Sequence, residues 1–204
     1  MILFNLVYYV ALFSSAIPLL LISTLKFGTP HTIFRSLKIL ILVKFLSDLS
    51  VYILQVKIHN SLPAFHISVL LEFGIILQIL NKIHSDKYFS IYLLTGCISC
   101  LLDLFVTSNL FDDNLFSSCT TFGLIILKSW KILYSNYNID RVFLKVIYTF
   151  FLYYLLAISF VMFQKIYIND ASIFRFGFVI FALATLIYNL SISNIVISML
   201  KTKE

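Results

Sequence analysis

The sequence predicts an all-α, polytopic membrane protein with seven transmembrane helices. Composition is the first ground. Of 204 residues, 61% are hydrophobic and 12% charged, where soluble domains carry about 25% charged residues. The mean hydropathy of +1.01 is the second. A soluble chain of this length could not enclose so much apolar surface in one core. Third, the apolar residues form seven stretches, each near the roughly 20 residues that a helix needs to cross a bilayer.

The stretches cover residues 2–25, 37–56, 63–83, 88–108, 114–134, 143–164 and 172–200. The first has no basic leader and no small-residue cleavage site, and it is too long for a signal-peptide core, so it reads as a retained span. The second carries Lys44 and Asp48. The third starts at Pro63, a residue suited to a first helical turn, and carries His66 and Glu72. The fourth holds Cys97, Cys100 and Asp103. A CxxC inside an apolar helix reads as ordinary thiols acting as small hydrophobes. The fifth carries Lys128, Trp130 and Lys131. The sixth contains Tyr153 and Tyr154, too deep for the interface and expected to hydrogen-bond inside the bundle. The seventh has Asn189 and Asn194. Its sequon, Asn189-Leu190-Ser191, falls within the span and is not expected to be glycosylated.

Turn-forming residues separate the stretches: Gly28-Thr29-Pro30, Asn60-Ser61-Leu62-Pro63, Asp112-Asp113-Asn114 and Asn136-Tyr137-Asn138. None of these connectors is long enough to divide domains, so residues 1–204 read as a single domain. With the N-terminus outside, the cytoplasmic regions hold ten basic residues: Lys26, Arg35, Lys38, Lys82, Lys87, Lys131, Arg141, Lys145, Lys201 and Lys203. The outer regions hold three: Lys57, Lys165 and Arg175. This bias predicts an N-out, C-in topology. Tyr8, Tyr9, Tyr52, Tyr88, Tyr134 and Tyr167 lie near span ends, where amphipathic rings anchor at headgroups.

Several function classes are disfavoured. The net charge of +6 is spread over loops, with no arginine run, zinc spacing or base-stacking module, so no nucleic-acid partner is expected. His66 and Glu72 lie about 120° apart around a helix, and His31, His59 and His84 fall in loops, so no metal site is expected. The chain has no P-loop, glycine-rich dinucleotide turn or serine nucleophile elbow. The seventh stretch has no lysine for a retinal Schiff base. No cofactor and no catalytic residue is singled out, and an enzyme is the less favoured class.

What remains is the polar set at mid-depth. Ionisable groups at the bilayer centre cost about 2.5–3.5 kcal/mol on insertion scales, so they face the bundle, find partners and often mark function. Lys44 and Asp48 are spaced i,i+4 and share a face. Asp48 and Glu72 lie at similar heights on sequential helices. Asp48, His66 and Glu72 are therefore candidate ligand-binding residues, with Lys44 and Lys128 as countercharges, between the second, third and fifth stretches. The expected function is a ligand-sensing or partner-binding membrane module. The alternatives are a small proton- or ion-coupled transporter, a lipid-acting enzyme using His66 and Glu72, and a purely structural ion-pair network. The expected partners are the bilayer itself and a small ligand or another membrane protein.

The run Ala64-Phe65-His66-Ile67-Ser68-Val69-Leu70-Leu71-Glu72-Phe73 resembles the aromatic-His-x5-Glu-Phe pattern of a family of small seven-helix integral membrane proteins of Bacteroidetes-type bacteria. The resemblance extends loosely to Pro18, to Ser36-Leu37-Lys38-Ile39-Leu40 and to the acidic Asp48. It departs in the fifth stretch, where Lys128 stands in place of an acidic residue. It implies a bacterial inner-membrane location, and no particular activity.

Overall fold

The computed structural model describes residues 2–24, 32–58, 62–107, 115–135, 139–167 and 171–201. The connectors at 28–30, 60–61, 112–114 and 136–138, together with Lys26, His31, His59 and Lys203, lie outside the described residues. All regular structure among the described residues is helical. The helices are α1 (Ile2–Phe13), α2 (Ala16–Thr24), α3 (Thr32–Ile58), α4 (Leu62–Ile83), α5 (Phe89–Leu102), α6 (Leu115–Tyr134), α7 (Arg141–Tyr167) and α8 (Ala171–Lys201). Together α1 and α2 make the first apolar stretch, so seven helical segments follow one another. Five of them are long and apolar enough to cross a membrane: the α1–α2 pair, α3, α4, α7 and α8. The segment Phe89–Phe105 is apolar but shorter. Helix α6 is diluted by hydroxyl residues and two lysines.

Pro18 explains why the first segment is broken. Proline has no N–H, and its ring crowds the carbonyl four residues back, here that of Ser14. The chain turns at Ser14–Ser15. The Ser14 and Ser15 hydroxyls donate to the carbonyls of Ala11 (2.6 Å) and Leu12 (3.2 Å). The amide of Asn189 in α8 donates to Ser14 Oγ at 2.7 Å. Freed polar groups are thus satisfied from within, as a low-dielectric surrounding demands.

A second irregularity ends α5. Its last turn widens into a π-helical turn, Asp103–Thr107. Asp103 Oδ2 accepts from both the backbone N–H (3.0 Å) and the hydroxyl (2.7 Å) of Ser117. Ser117 lies in the first turn of α6, where unpaired N–H groups and the helix dipole favour a carboxylate. At the other end of the bundle Asp140 caps α7, accepting from Val142 N at 2.8 Å.

The helices form a closed ring. Helix α3 packs on α4, α4 on α5 and α6, α6 on α7, and α7 on α8. Helix α8 packs on α1 and α2, which return to α3. The apolar core includes Leu37, Ile76, Leu80, Ile125, Phe150 and Ile195. Gly96 of α5 is where Phe73 of α4 lies closest, since a Cβ there would fall within the Phe73 ring. The exterior is apolar. Leu20, Leu46, Ile67, Leu94, Leu127, Leu152 and Ile187, one from each segment, are exposed, whereas Asp48, Glu72, Asp103, Lys128 and Asn189 are buried. Polar inside and apolar outside is the arrangement a bilayer selects.

Candidate functional site

A cavity of about 150 Å³ lies within the ring, and helical spacing explains its lining. Helix α3 contributes Lys44, Ser47, Asp48 and Val51, at i, i+3, i+4 and i+7. Helix α4 contributes Phe65, Ser68, Val69 and Glu72, again at i, i+3, i+4 and i+7. Phe178, Phe181, Ala182 and Thr185 repeat the pattern on α8. Residues at these spacings share one helix face. Tyr8 from α1, Phe122 and Ile125 from α6, and Tyr153 and Tyr154 from α7 are also part of the wall. On this measure one water needs about 10–15 Å³, so the volume holds on the order of ten waters or one compact ligand.

The charged groups converge here. Lys44 Nζ lies 3.1 Å from Asp48 Oδ1 and 3.6 Å from Glu72 Oε1. Tyr154 donates to Glu72 Oε2 at 3.4 Å. Thr185 Oγ1 donates to the Phe181 carbonyl at 3.0 Å. Asp48 is only 8% exposed, and its second oxygen, Oδ2, has no hydrogen-bond partner among the described residues. One lysine faces two carboxylates, which leaves one formal negative charge unbalanced.

Three of the five sequence-derived site residues, Lys44, Asp48 and Glu72, are therefore brought together. The other two are not. Lys128 is completely buried and pairs with Asp86 at 3.2 Å instead of with Asp48 or Glu72; it also donates to the His84 carbonyl at 3.1 Å. It continues the Phe122–Ile125 stripe one turn nearer the α4–α5 turn, so Asp86 is the carboxylate within its reach. His66 does not line the cavity. It sits on a different side of α4 from Glu72, as six residues of helical rotation require.

Tyr8, Tyr153, Tyr154 and Thr185 are cavity residues that sequence reasoning did not assign. The adjacent deep tyrosines at 153–154 were the available signal. Tyr8, expected near a span end, packs on Phe178 with ring centroids 5.7 Å apart and lines the cavity. The rings of Tyr153 and Tyr188 stack at 4.2 Å, and those of Phe160 and Phe181 at 4.6 Å, so the α7–α8 wall is largely aromatic.

A separate charged cluster closes one end of the bundle. Asp86, in the α4–α5 turn, accepts from Lys131 Nζ at 2.7 Å and lies 3.2 Å from Lys128 Nζ. Its backbone N–H donates to Asn81 Oδ1, and its Oδ1 accepts from Tyr88 N, both at 3.0 Å. Burial alone would raise the Asp86 carboxyl. The hydrogen bonds from Lys131, the Tyr88 amide and Lys128 outweigh it and hold the group well below the usual carboxylate range. This cluster pins the α4–α5 turn.

Cys97, Cys100 and Cys119 are free, half-buried thiols. No three His, Cys, Asp or Glu side chains converge as a metal site among the described residues. No family model, no curated protein and no solved structure matches the chain.

Proposed function

We propose that this chain is a seven-span, N-out, C-in protein of a bacterial inner membrane and acts as a ligand-sensing or partner-binding module, with the mid-bundle cavity as its ligand site. The observation that carries this reading is the unpartnered Oδ2 of buried Asp48 at the wall of a ligand-sized cavity. A network serving only to hold helices together would be expected to satisfy its buried acceptors, because leaving one unpaired costs about 1–3 kcal/mol or more for a charged group. Lys44 holds the two carboxylates in place, the tyrosines and Thr185 supply further polar contacts, and the aromatic wall supplies apolar area. Such a mix of mostly apolar lining and a few convergent polar groups is typical of small-molecule sites.

A second reading is a small proton-coupled carrier. The observation favouring it is the excess of carboxylates over lysines, which gives the cavity a place for one proton. The lipid-acting enzyme loses support, because His66 and Glu72 do not meet in the cavity.

The test is thermal stability of the purified protein in mild detergent, wild type beside Glu72→Gln, against panels of lipids, ions and small metabolites. A compound that raises the wild-type melting temperature but not that of a folded Glu72→Gln supports the ligand site. If Glu72→Gln merely lowers stability and no compound acts on the wild type, the cavity is structural. Proton-driven flux in proteoliposomes that Glu72→Gln abolishes would favour the carrier.

A further inference from the structure

A groove on the outer face between α3 and α4 abuts the cavity. It encloses about 400 Å³ and is lined by residues including Val43, Leu46, Ile53, Ile67 and Leu71. Ser47 and Ser68 belong to both linings. The cavity and the lipid-facing groove are therefore separated by two of the smallest polar side chains, one from each helix. Ser68 Oγ donates to the Phe65 carbonyl at 3.0 Å, which folds it back against its own helix. Behind this pair stands Asp48, with one oxygen bonded to Lys44 and the other without a partner.

From this geometry we infer that the cavity takes a small lipophilic amine in its ammonium form, admitted from the bilayer between α3 and α4 past Ser47 and Ser68. The inference rests on the ligand-site reading above and names the ligand class and its route. Three observations select the class. The formal charge of the cavity is short by one positive charge. An ammonium donates hydrogen bonds to an acceptor such as Asp48 Oδ2, and a charge-assisted bond of this kind is strong in a low-dielectric site. The remaining wall, with Tyr8, Phe65, Phe122, Phe178, Phe181 and Tyr153, presents aromatic rings, which attract organic cations. A bare metal ion fits less well, since it needs several oxygen ligands. The apolar groove selects the route, because a molecule dissolved in lipid meets it first.

The probe is 2-phenylethylamine, with 2-phenylethanol as its uncharged isostere, on the full chain in lipid nanodiscs. Saturable binding of the amine is expected, with the alcohol at least ~10-fold weaker. Asp48→Asn should lose ~10-fold or more of the amine affinity, and Asp48→Glu should retain most of it. That second variant distinguishes a lost charge from a lost fold. Ser68→Leu should slow association and dissociation of radiolabelled amine together, leaving Kd within a few-fold. Equal binding of amine and alcohol, or an Asp48→Asn protein that binds like wild type, overturns the ammonium while leaving a ligand cavity standing. Unchanged rates in Ser68→Leu overturn the lateral route. If neither probe binds but the metabolite panel finds a Glu72-dependent ligand, this inference falls alone. If the panel is silent as well, the ligand-site reading falls with it.

Discussion

Lys44 is the residue on which the buried charges depend, and its role follows from two contacts, 3.1 Å to Asp48 and 3.6 Å to Glu72. Removing one partner of a buried ion pair costs about 3–5 kcal/mol, because charge is stranded, whereas neutralising the whole set costs far less. Lys44→Met should therefore lose stability on that scale, and the triple variant Lys44→Met, Asp48→Asn, Glu72→Gln should recover most of it. Unfolding titrations in mixed micelles would measure this, and equal losses in the single and triple variants would contradict the network. The half of this site on α3 was legible in sequence, because i,i+4 spacing fixes a shared face. Depth was legible too, at about 1.5 Å per residue. What a linear pattern does not contain is which partner a neighbouring turn brings close. Lys128 shares the face of the cavity-lining Phe122 and Ile125 but lies one turn nearer the α4–α5 turn, where Asp86 pairs with it. For His66 the rotation within α4 was sufficient to place it away from Glu72.

At the scale of elements, two contacts position α5 and the turn before it. Gly96 lets Phe73 lie directly against the α5 backbone. Gly74 and Gly123 have open space where a Cβ would go. Gly96→Ala should destabilise by about 1–3 kcal/mol through overpacking, while Gly74→Ala and Gly123→Ala should be neutral or stabilising, since alanine is the better helix former. Melting temperatures of the three variants decide this, and a tolerated Gly96→Ala would mean that Phe73 moves aside freely. The turn itself is pinned by Asp86. Because the folded protein holds this carboxyl below its ordinary range, its stabilisation is fully present above the unfolded value, near pH 4. It is lost as pH falls from there toward the folded value. The stability gap between wild type and Asp86→Asn should accordingly be constant near neutrality and narrow below about pH 4. A gap unchanged at acid pH would show that the carboxylate charge contributes nothing. The break at Ser14–Ser15 was foreshadowed by Pro18. The π turn at Asp103–Thr107 had no such signal, since nothing in an apolar run announces a carboxylate that reaches to the next helix.

At the scale of the whole molecule, topology can be argued from parity. The apolar exterior and the helix lengths make five segments sufficient on their own to span. The remaining two, α5 with its π turn and α6, are consecutive and pack on one another, so they cross as a hairpin or not at all. Five or seven crossings alike would put Ile2 and Lys201 on opposite sides. Helix α8 runs unbroken from Ala171 to Lys201, so it counts as one crossing. Helix α6 also belongs inside the ring, because its Ser117, Thr121, Lys128 and Ser129 are buried and α4 and α7 flank it. Its polar residues thus lie on the inward face of the bundle. The proposed N-out, C-in topology puts Lys82, Lys87, Lys131, Arg141 and Lys145 at the cytoplasmic end, as the positive-inside rule expects. A reporter fluorescent only in the cytoplasm should then be active when fused after residue 201 or inserted near residue 86. A phosphatase active only outside should work when inserted near residue 110. Phosphatase silence at 110, with the other two reporters cytoplasmic, would reduce the spans to five and leave α5 and α6 on the inner side. The reverse pattern at all three positions would keep seven spans and invert the protein. The cavity would survive this inversion, but the basic end that closes over Asp86 would then face the outside.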